Sequence, residues 1–398
     1  THPTGPAKRK RPNDLSQLDD LWYVPAVMFC QTRGDRSGSL PIYLPWLDLL
    51  RFVACVLVVL AHLNPYPTAG MLGHNGVGLF FSISGYLIGT VLLAGRGKPH
   101  WRTTFYANRF LRIYPPLLAG LVFFGVLLAA GFGSREGMWG HFRDNIPYYL
   151  TFTARLSPTC GDPYAIVWTL CVEEYFYLLL PVVVWAFGRR GTAVVLTVAA
   201  LVLLTPGMQR LPDGTSTWFL APLNLLAGAI LATSRPGPQP GRPWVGMVGL
   251  AGMIANGVGG WFHPFGPVMG LVTTLVVWSF ATTRAPVPVG FTVPVLWGKW
   301  SYGIYLVHLP FCSAALLAAR AMGLDPSRPV AYYTAAAALA TLGSTVLAGL
   351  LFRVVERPAL AARPGVNARP RLRALIAAVQ VLLVPAGVAY WLAAGVVD

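Results

Sequence analysis

The sequence predicts an all-α, polytopic transmembrane helical bundle of about 10–11 spans with a cytoplasmic N-terminus, and three observations predict it. The chain of 398 residues is 55% hydrophobic and only 11% charged. With a mean hydropathy of +0.57 it is too apolar for a soluble protein of this length. Apolar stretches of about 20 residues recur, each able to cross a hydrocarbon core, and none alternates with period two as a barrel strand would.

The first 43 residues are polar and basic ("PAKRKRPNDLSQLDD"), then briefly apolar ("LWYVPAVMFC"). That run is too short to span and shows no signal-peptide cleavage pattern, so 1–43 is expected to be a flexible or surface-lying basic tail. Spans are expected at 44–63, 76–94, 113–132, 164–187, 191–206, 216–233, 243–262, 265–283, 296–319, 330–352 and 374–395. The span at 191–206 is the shortest. A membrane domain is read at 44–357, followed by a basic loop and an additional C-terminal helix at 358–398. Net charge is +16, and most of the 30 Lys and Arg fall in the tail and in loops after even-numbered spans. That one-sidedness is the positive-inside rule, so no nucleic-acid partner is expected. Cys30, Cys55, Cys160, Cys171 and Cys312 form no CxxC pair and read as small buried hydrophobes. The histidines show no metal-ligand spacing, so no metal is expected, and there is no phosphate loop or GxSxG elbow. With no large soluble region, any chemistry belongs inside the bundle.

Charged residues inside spans are costly, and they mark where to look. In "LDLLRFVACVLVVLAH" (47–62), Asp48 and Arg51 are i, i+3 and can pair. Eleven residues bring His62 to within about 20° of Arg51, about 16 Å along the axis, so all three can face one cavity. The bland alternative is a packing ion pair with an interfacial histidine. "GVGLFFSISGYLI" (76–88) carries Ser82, Ser84 and Gly85, a signature of close helix packing. "NRFLRIYPPLL" (108–118) puts Arg109 and Arg112 on one face, suited to phosphate capture or to topology alone. "VWTLCVEEYFYLLLP" (167–181) holds Glu173 and Glu174 about 100° apart, so at most one should face a shared cavity. "KWSYGIYLVHLP" (299–310) stacks Ser301, Tyr305 and His308 on a stripe that reads first as packing.

These five segments, in this order from residue 44 to "FRVVERP" at 357, resemble the landmarks of the integral-membrane acyltransferase-3 family. The resemblance implies an all-helical enzyme that moves an acyl group, commonly acetyl from acetyl-CoA, to a hydroxyl of a carbohydrate or secondary metabolite. Its arginine-to-histidine pattern falls on Arg51 and His62. Its double-arginine motif for acyl-CoA handling falls on Arg109 and Arg112, with Tyr114 in the same stretch. Its acidic motif falls on Glu173. Two departures stand out: Gly78 occupies a position where the family often has an acid, and Leu49 one where it usually has a small residue. No appended esterase-like domain follows, which argues against the two-domain peptidoglycan type.

The expected function is therefore O-acyl transfer, with acyl-CoA as a donor substrate and no permanently bound cofactor. His62 would be the general base, since imidazole titrates near working pH, and Arg51, Asp48 and Glu173 would complete the catalytic set. Arg109, Arg112 and Tyr114 would hold the donor. Rich Ala, Gly, Pro, Arg and Val usage suggests a bacterial chain in a cell membrane, with cell-wall glycan, exopolysaccharide or antibiotic sugars as acceptor classes. The alternative is a transporter or flippase using the same charges as a relay, and against it no motif recurs between the two halves.

Overall fold

Pro45 opens the first helix of the computed structural model, α1 (Pro45–Leu63), at a position whose N–H has no helical partner anyway. The structure describes residues 44–63, 67–132, 137–159, 162–205, 220–234, 242–283 and 285–394. The basic tail 1–43, Cys30 and Cys160 lie outside the described residues. Beyond α1 come α2 (Pro67–Gly95), α3 (Trp101–Ala129), α4 (Met138–Leu150), α5 (Val167–Leu203), α6 (Pro222–Thr233) and α7 (Pro243–Gly259). They are followed by α8 (Pro267–Thr282), α9 (Thr292–Lys299), α10 (Ser301–Ala321) and α11 (Pro329–Leu351). A π-helical stretch, Phe352–Glu356, then leads into α12 (Arg357–Ala361), α13 (Arg363–Ala368) and α14 (Pro370–Ala393). Among the described residues there is no strand. Seven helices there are long and apolar enough to cross a membrane, and α6 and α8 are shorter apolar helices.

Among the described residues every apolar window read from the sequence lies mainly on helix, but several bounds move; 206, 216–219 and 395 lie outside the described residues. Helices α2 and α3 begin at 67 and 101 rather than 76 and 113, because the Gly, His, Asn, Thr and Arg residues of their first turns interrupt the apolar window although they lie in helix. Arg109 and Arg112 thus sit inside a helix rather than at its start. The windows 164–187 and 191–206 run together in α5, which kinks where Gly188 takes φ 62°. Helix α4 (MWGHFRDNIPYYL) was not expected, since its polar face leaves no apolar window.

Helix α2 runs through the middle, against α1, α5, α6, α7 and α8, while α10 packs on α11 and α1, and α14 on α3. The outside is apolar, and polar and charged groups are buried within an apolar core. Val122, Leu179, Val248, Leu271 and Leu382 are exposed, whereas Asp48, Glu174, His308, Glu356 and Gln380 are buried. Cys55, Cys171 and Cys312 are buried free thiols, as expected. This polarity suits a lipid surround.

The α2–α6 crossing depends on absent side chains. A Cβ on Gly85 would strike the Leu225 carbonyl, one on Gly89 would lie 2.9 Å from Ala232 Cβ, and one on Gly228 would strike the Ser82 carbonyl. Two small-xxx-small pairs, Gly85/Gly89 and Gly228/Ala232, therefore interlock. Overpacking of this kind costs about 1–3 kcal/mol. Gly85→Ala should accordingly lower the thermal midpoint of the purified protein in detergent. Gly140→Ala, at a helical position with nothing within 4 Å, should not. Equal midpoints would show that the crossing has slack.

Candidate active site

His62 lies in the last turn of α1 and His308 on α10, and the two meet at one end of the bundle. The His62 ring is exposed to a cavity of about 360 Å³ that is also lined by His74, Asp162, Trp168, Tyr305 and Leu309. His62 Nδ1 donates to the Val58 carbonyl at 2.8 Å. A carbonyl only accepts, so Nδ1 carries the proton and Nε2 presents its lone pair. His308 is fully buried, and its Nδ1 donates to the Tyr305 carbonyl at 2.7 Å. Its Nε2 lone pair lies 3.4 Å from His62 Nδ1, with the rings edge-to-face at 4.9 Å. Aromatic walls complete the cavity: Trp168 and His74 pack on Phe265 at 6.1 and 5.6 Å.

Deeper in, the charges gather. Arg51 Nη1 pairs with Asp48 Oδ1 at 2.7 Å, the i, i+3 contact the sequence suggests. Ser84 Oγ donates to Glu173 Oε1 at 2.7 Å. Arg51 and Arg109 both lie within electrostatic reach of Glu173. The adjacent acid turns the other way: Glu174 accepts from Gln380 of α14, and its second oxygen has no partner. The splay of the two carboxylates is thus as helical geometry requires. Arg109 stands over the rings of Tyr177 and Phe105 at 5.6 and 5.9 Å. Among the described residues nothing hydrogen-bonds its guanidinium, which leaves its donors for a ligand.

Arg112 differs. It forms an ion pair with Glu356, which the π-helical stretch presents and which is itself buried. Arg363 lies close by and donates to the Asn108 carbonyl at 3.0 Å. Tyr114 is stacked on Phe110 at 4.8 Å and edge-on to Phe152 at 6.3 Å, and among the described residues its hydroxyl has no hydrogen-bond partner. At Gly78, where an acid was missed, a Cβ would lie 2.7 Å from Asn224 Nδ2, so a buried amide fills that space. The structure thus groups Arg51, Glu173 and Arg109 at mid-depth, His62 about 16 Å along α1 from Arg51, and Arg112 in its own pair. Sequence reasoning passed over His74, Trp168 and Glu356. Glu356 and His308 meet partners 244 and 246 residues away. No spacing rule reaches that far.

No solved structure matches the chain. The peptidoglycan O-acetyltransferase OatA of Listeria monocytogenes is 27% identical over 365 residues, covering 79% of this chain and 56% of its own length. The O-acetyltransferase OatA of Staphylococcus aureus is 30% identical over 227 residues, 48% of this chain and 35% of its own. A putative O-acetyltransferase of Staphylococcus aureus strain COL is 25% identical over 382 residues, 82% of this chain and 59% of its own. The chain therefore spans about half the length of the curated relatives it matches. The family description "Acyltransferase domain" (Acyl_transf_3) matches residues 44–349, across the helices that carry His62, Arg51, Glu173 and Arg109, and the chain belongs to the acyltransferase-3 family of membrane proteins.

Proposed function

We propose that the protein is a membrane O-acyltransferase that moves an acetyl or other acyl group from acyl-CoA to a hydroxyl of a carbohydrate. The observation that carries this is His62: a ring that lines a cavity and whose Nδ1–H is anchored on Val58, which leaves the Nε2 lone pair to accept a proton. The relatives' names, with their O-acetyltransferases of peptidoglycan, support a cell-wall glycan hydroxyl as the acceptor. Trp168 and Tyr305 in the same cavity offer flat apolar surfaces for a sugar ring.

In this scheme Arg109 takes a donor phosphate, with Arg112 as a second fixed charge and Tyr114 beside them. The pantetheine arm passes Glu173 and the Asp48–Arg51 pair toward His62. Nε2 removes the acceptor's hydroxyl proton as the oxygen attacks the thioester carbonyl. The tetrahedral intermediate collapses, the carbon–sulfur bond breaks, and the imidazolium returns its proton to the departing thiolate. His308 holds the reacting tautomer of His62 by lying against Nδ1.

The test is acceptor-dependent thioester cleavage. Purified protein in detergent, given acetyl-CoA and a peptidoglycan-derived glycan, should release free CoA and yield an acetylated glycan in equal amounts. Passage of glycan across vesicles without CoA release would favour the transporter reading instead.

A further inference from the structure

We propose that a second cavity, beside the Gly188 kink of α5, is a phosphate-binding site that receives the 3′-phospho-ADP end of the donor. The proposal rests on the acyl-CoA reading above and places a part of the donor which that reading leaves unplaced. The cavity, of about 590 Å³, lies between the turn joining α2 to α3 and Trp185, just ahead of the Gly188 kink in α5. Its volume is in the range of small-molecule sites. Arg96, Lys98, His100 and Arg102 line it together with Trp101 and Trp185, and no carboxylate does.

Two of these cations are pinned. Arg96 Nε donates to the Val184 carbonyl at 3.0 Å and Nη2 to the Trp185 carbonyl at 3.4 Å. The Arg102 guanidinium stands 4.8 Å from the centre of the Trp185 ring. Among the described residues the side chains of Lys98 and His100 have no partner and are exposed. His100 takes a left-handed conformation, φ 56° and ψ 18°, ahead of the 29-residue helix α3. That helix starts with no side-chain cap and no acid in its first turn. Trp101, Arg102 and Thr103, its first residues, line the cavity, so the positive end of the helix faces it too. A topology signal needs only charge near the membrane. It does not need arginines fixed around a hollow.

The cavity is also in line with the deeper charges. Arg102 and Arg109 are seven residues apart, so they share one stripe of α3 to within about 20° and lie about 10 Å apart. Each stands over a ring of α5, Arg102 on Trp185 and Arg109 on Tyr177. Between them Tyr106 Oη donates to the Leu178 carbonyl at 3.0 Å. Past Arg109 the same side of α5 reaches Glu173. A ligand with its nucleotide phosphates at Lys98 and Arg102 would find its next cation at Arg109, on the way to the mid-depth charges.

The experiment measures binding of adenosine 3′,5′-bisphosphate, which carries no arm and no thioester, to the purified full chain by calorimetry. The parent should bind it, and acetyl-CoA should displace it. The pair Lys98→Met and His100→Asn removes the two side chains that pack on nothing, and Asn tolerates the left-handed backbone. It should weaken binding about tenfold and raise KM for acetyl-CoA similarly. Lys98→Met alone should give part of that loss and serves if the pair elutes misfolded. No binding by the parent, or equal binding by both proteins, overturns the proposal. In nanodiscs, retention of phosphatidylglycerol that depends on Lys98, with no displacement by the bisphosphate, assigns the site to a lipid headgroup and overturns the nucleotide. Acceptor-dependent CoA release without bisphosphate binding sinks the site and leaves the transfer reading standing. Bisphosphate binding at Lys98 without any CoA release does the reverse.

Discussion

His62→Ala should lower acyl transfer about 10²–10⁴-fold while donor binding and folding persist, because a positioned general base contributes that much. His62 does not hold the bundle together. Its ring is exposed to the cavity, its shorter hydrogen bond is to a carbonyl of its own helix, and its contact with His308 across to α10 is long, at 3.4 Å. His62→Gln should do no better than Ala, since an amide can hydrogen-bond at Nε2's place but cannot take a proton. In the parent, transfer should fall as the medium is acidified, because Nε2 is then already protonated and no lone pair remains for the hydroxyl. Turnover of the purified variants, with elution profile as the folding check, measures this. Near-parental turnover by His62→Ala would make the residue an interfacial one and move the base to Glu173 or His308.

The second large effect concerns stability. Arg112→Ala should cost about 3–5 kcal/mol, because it strands the Glu356 carboxylate, which is buried inside the bundle. Glu356→Ala should cost a comparable amount for the mirror reason. Replacing both with Met should recover most of the loss, since a buried ion pair exchanged for packed apolar side chains is often neutral or better. Arg109→Ala strands no carboxylate partnered only by it, so it should keep the fold and lose about tenfold or more in donor affinity. Thermal midpoints and acyl-CoA titrations of the four variants separate the roles. If the Met pair melts no higher than Arg112→Ala, the pair's contribution is one of shape rather than charge.

Local geometry made much of this legible in the sequence. The apolar windows located the helices because lipid demands long apolar runs. The i, i+3 spacing of Asp48 and Arg51 and the splay of Glu173 and Glu174 followed from helical pitch, and the side chains lie accordingly. What stayed hidden depends on tertiary placement. Nothing near His62 in the chain announces His308 or His74. Amphipathic α4 has no hydropathy signal strong enough to show, and the polar first turns of α2 and α3 read as loops although they are helix. The Arg112 guanidinium looked as available as that of Arg109, and only the distant π-helical stretch distinguishes them.

That stretch has a further consequence. A π-helical turn holds one residue more than the α-helical turn it replaces. Deleting a single residue between Phe352 and Val355 would close it into ordinary helix through the same turn, so the helices downstream would keep their orientation. The contacts of Glu356 with Arg112, of Arg363 with Asn108 and of Gln380 with Glu174 would survive it. The stretch is thus a spacer that absorbs one peptide unit of length between α11 and the C-terminal helices.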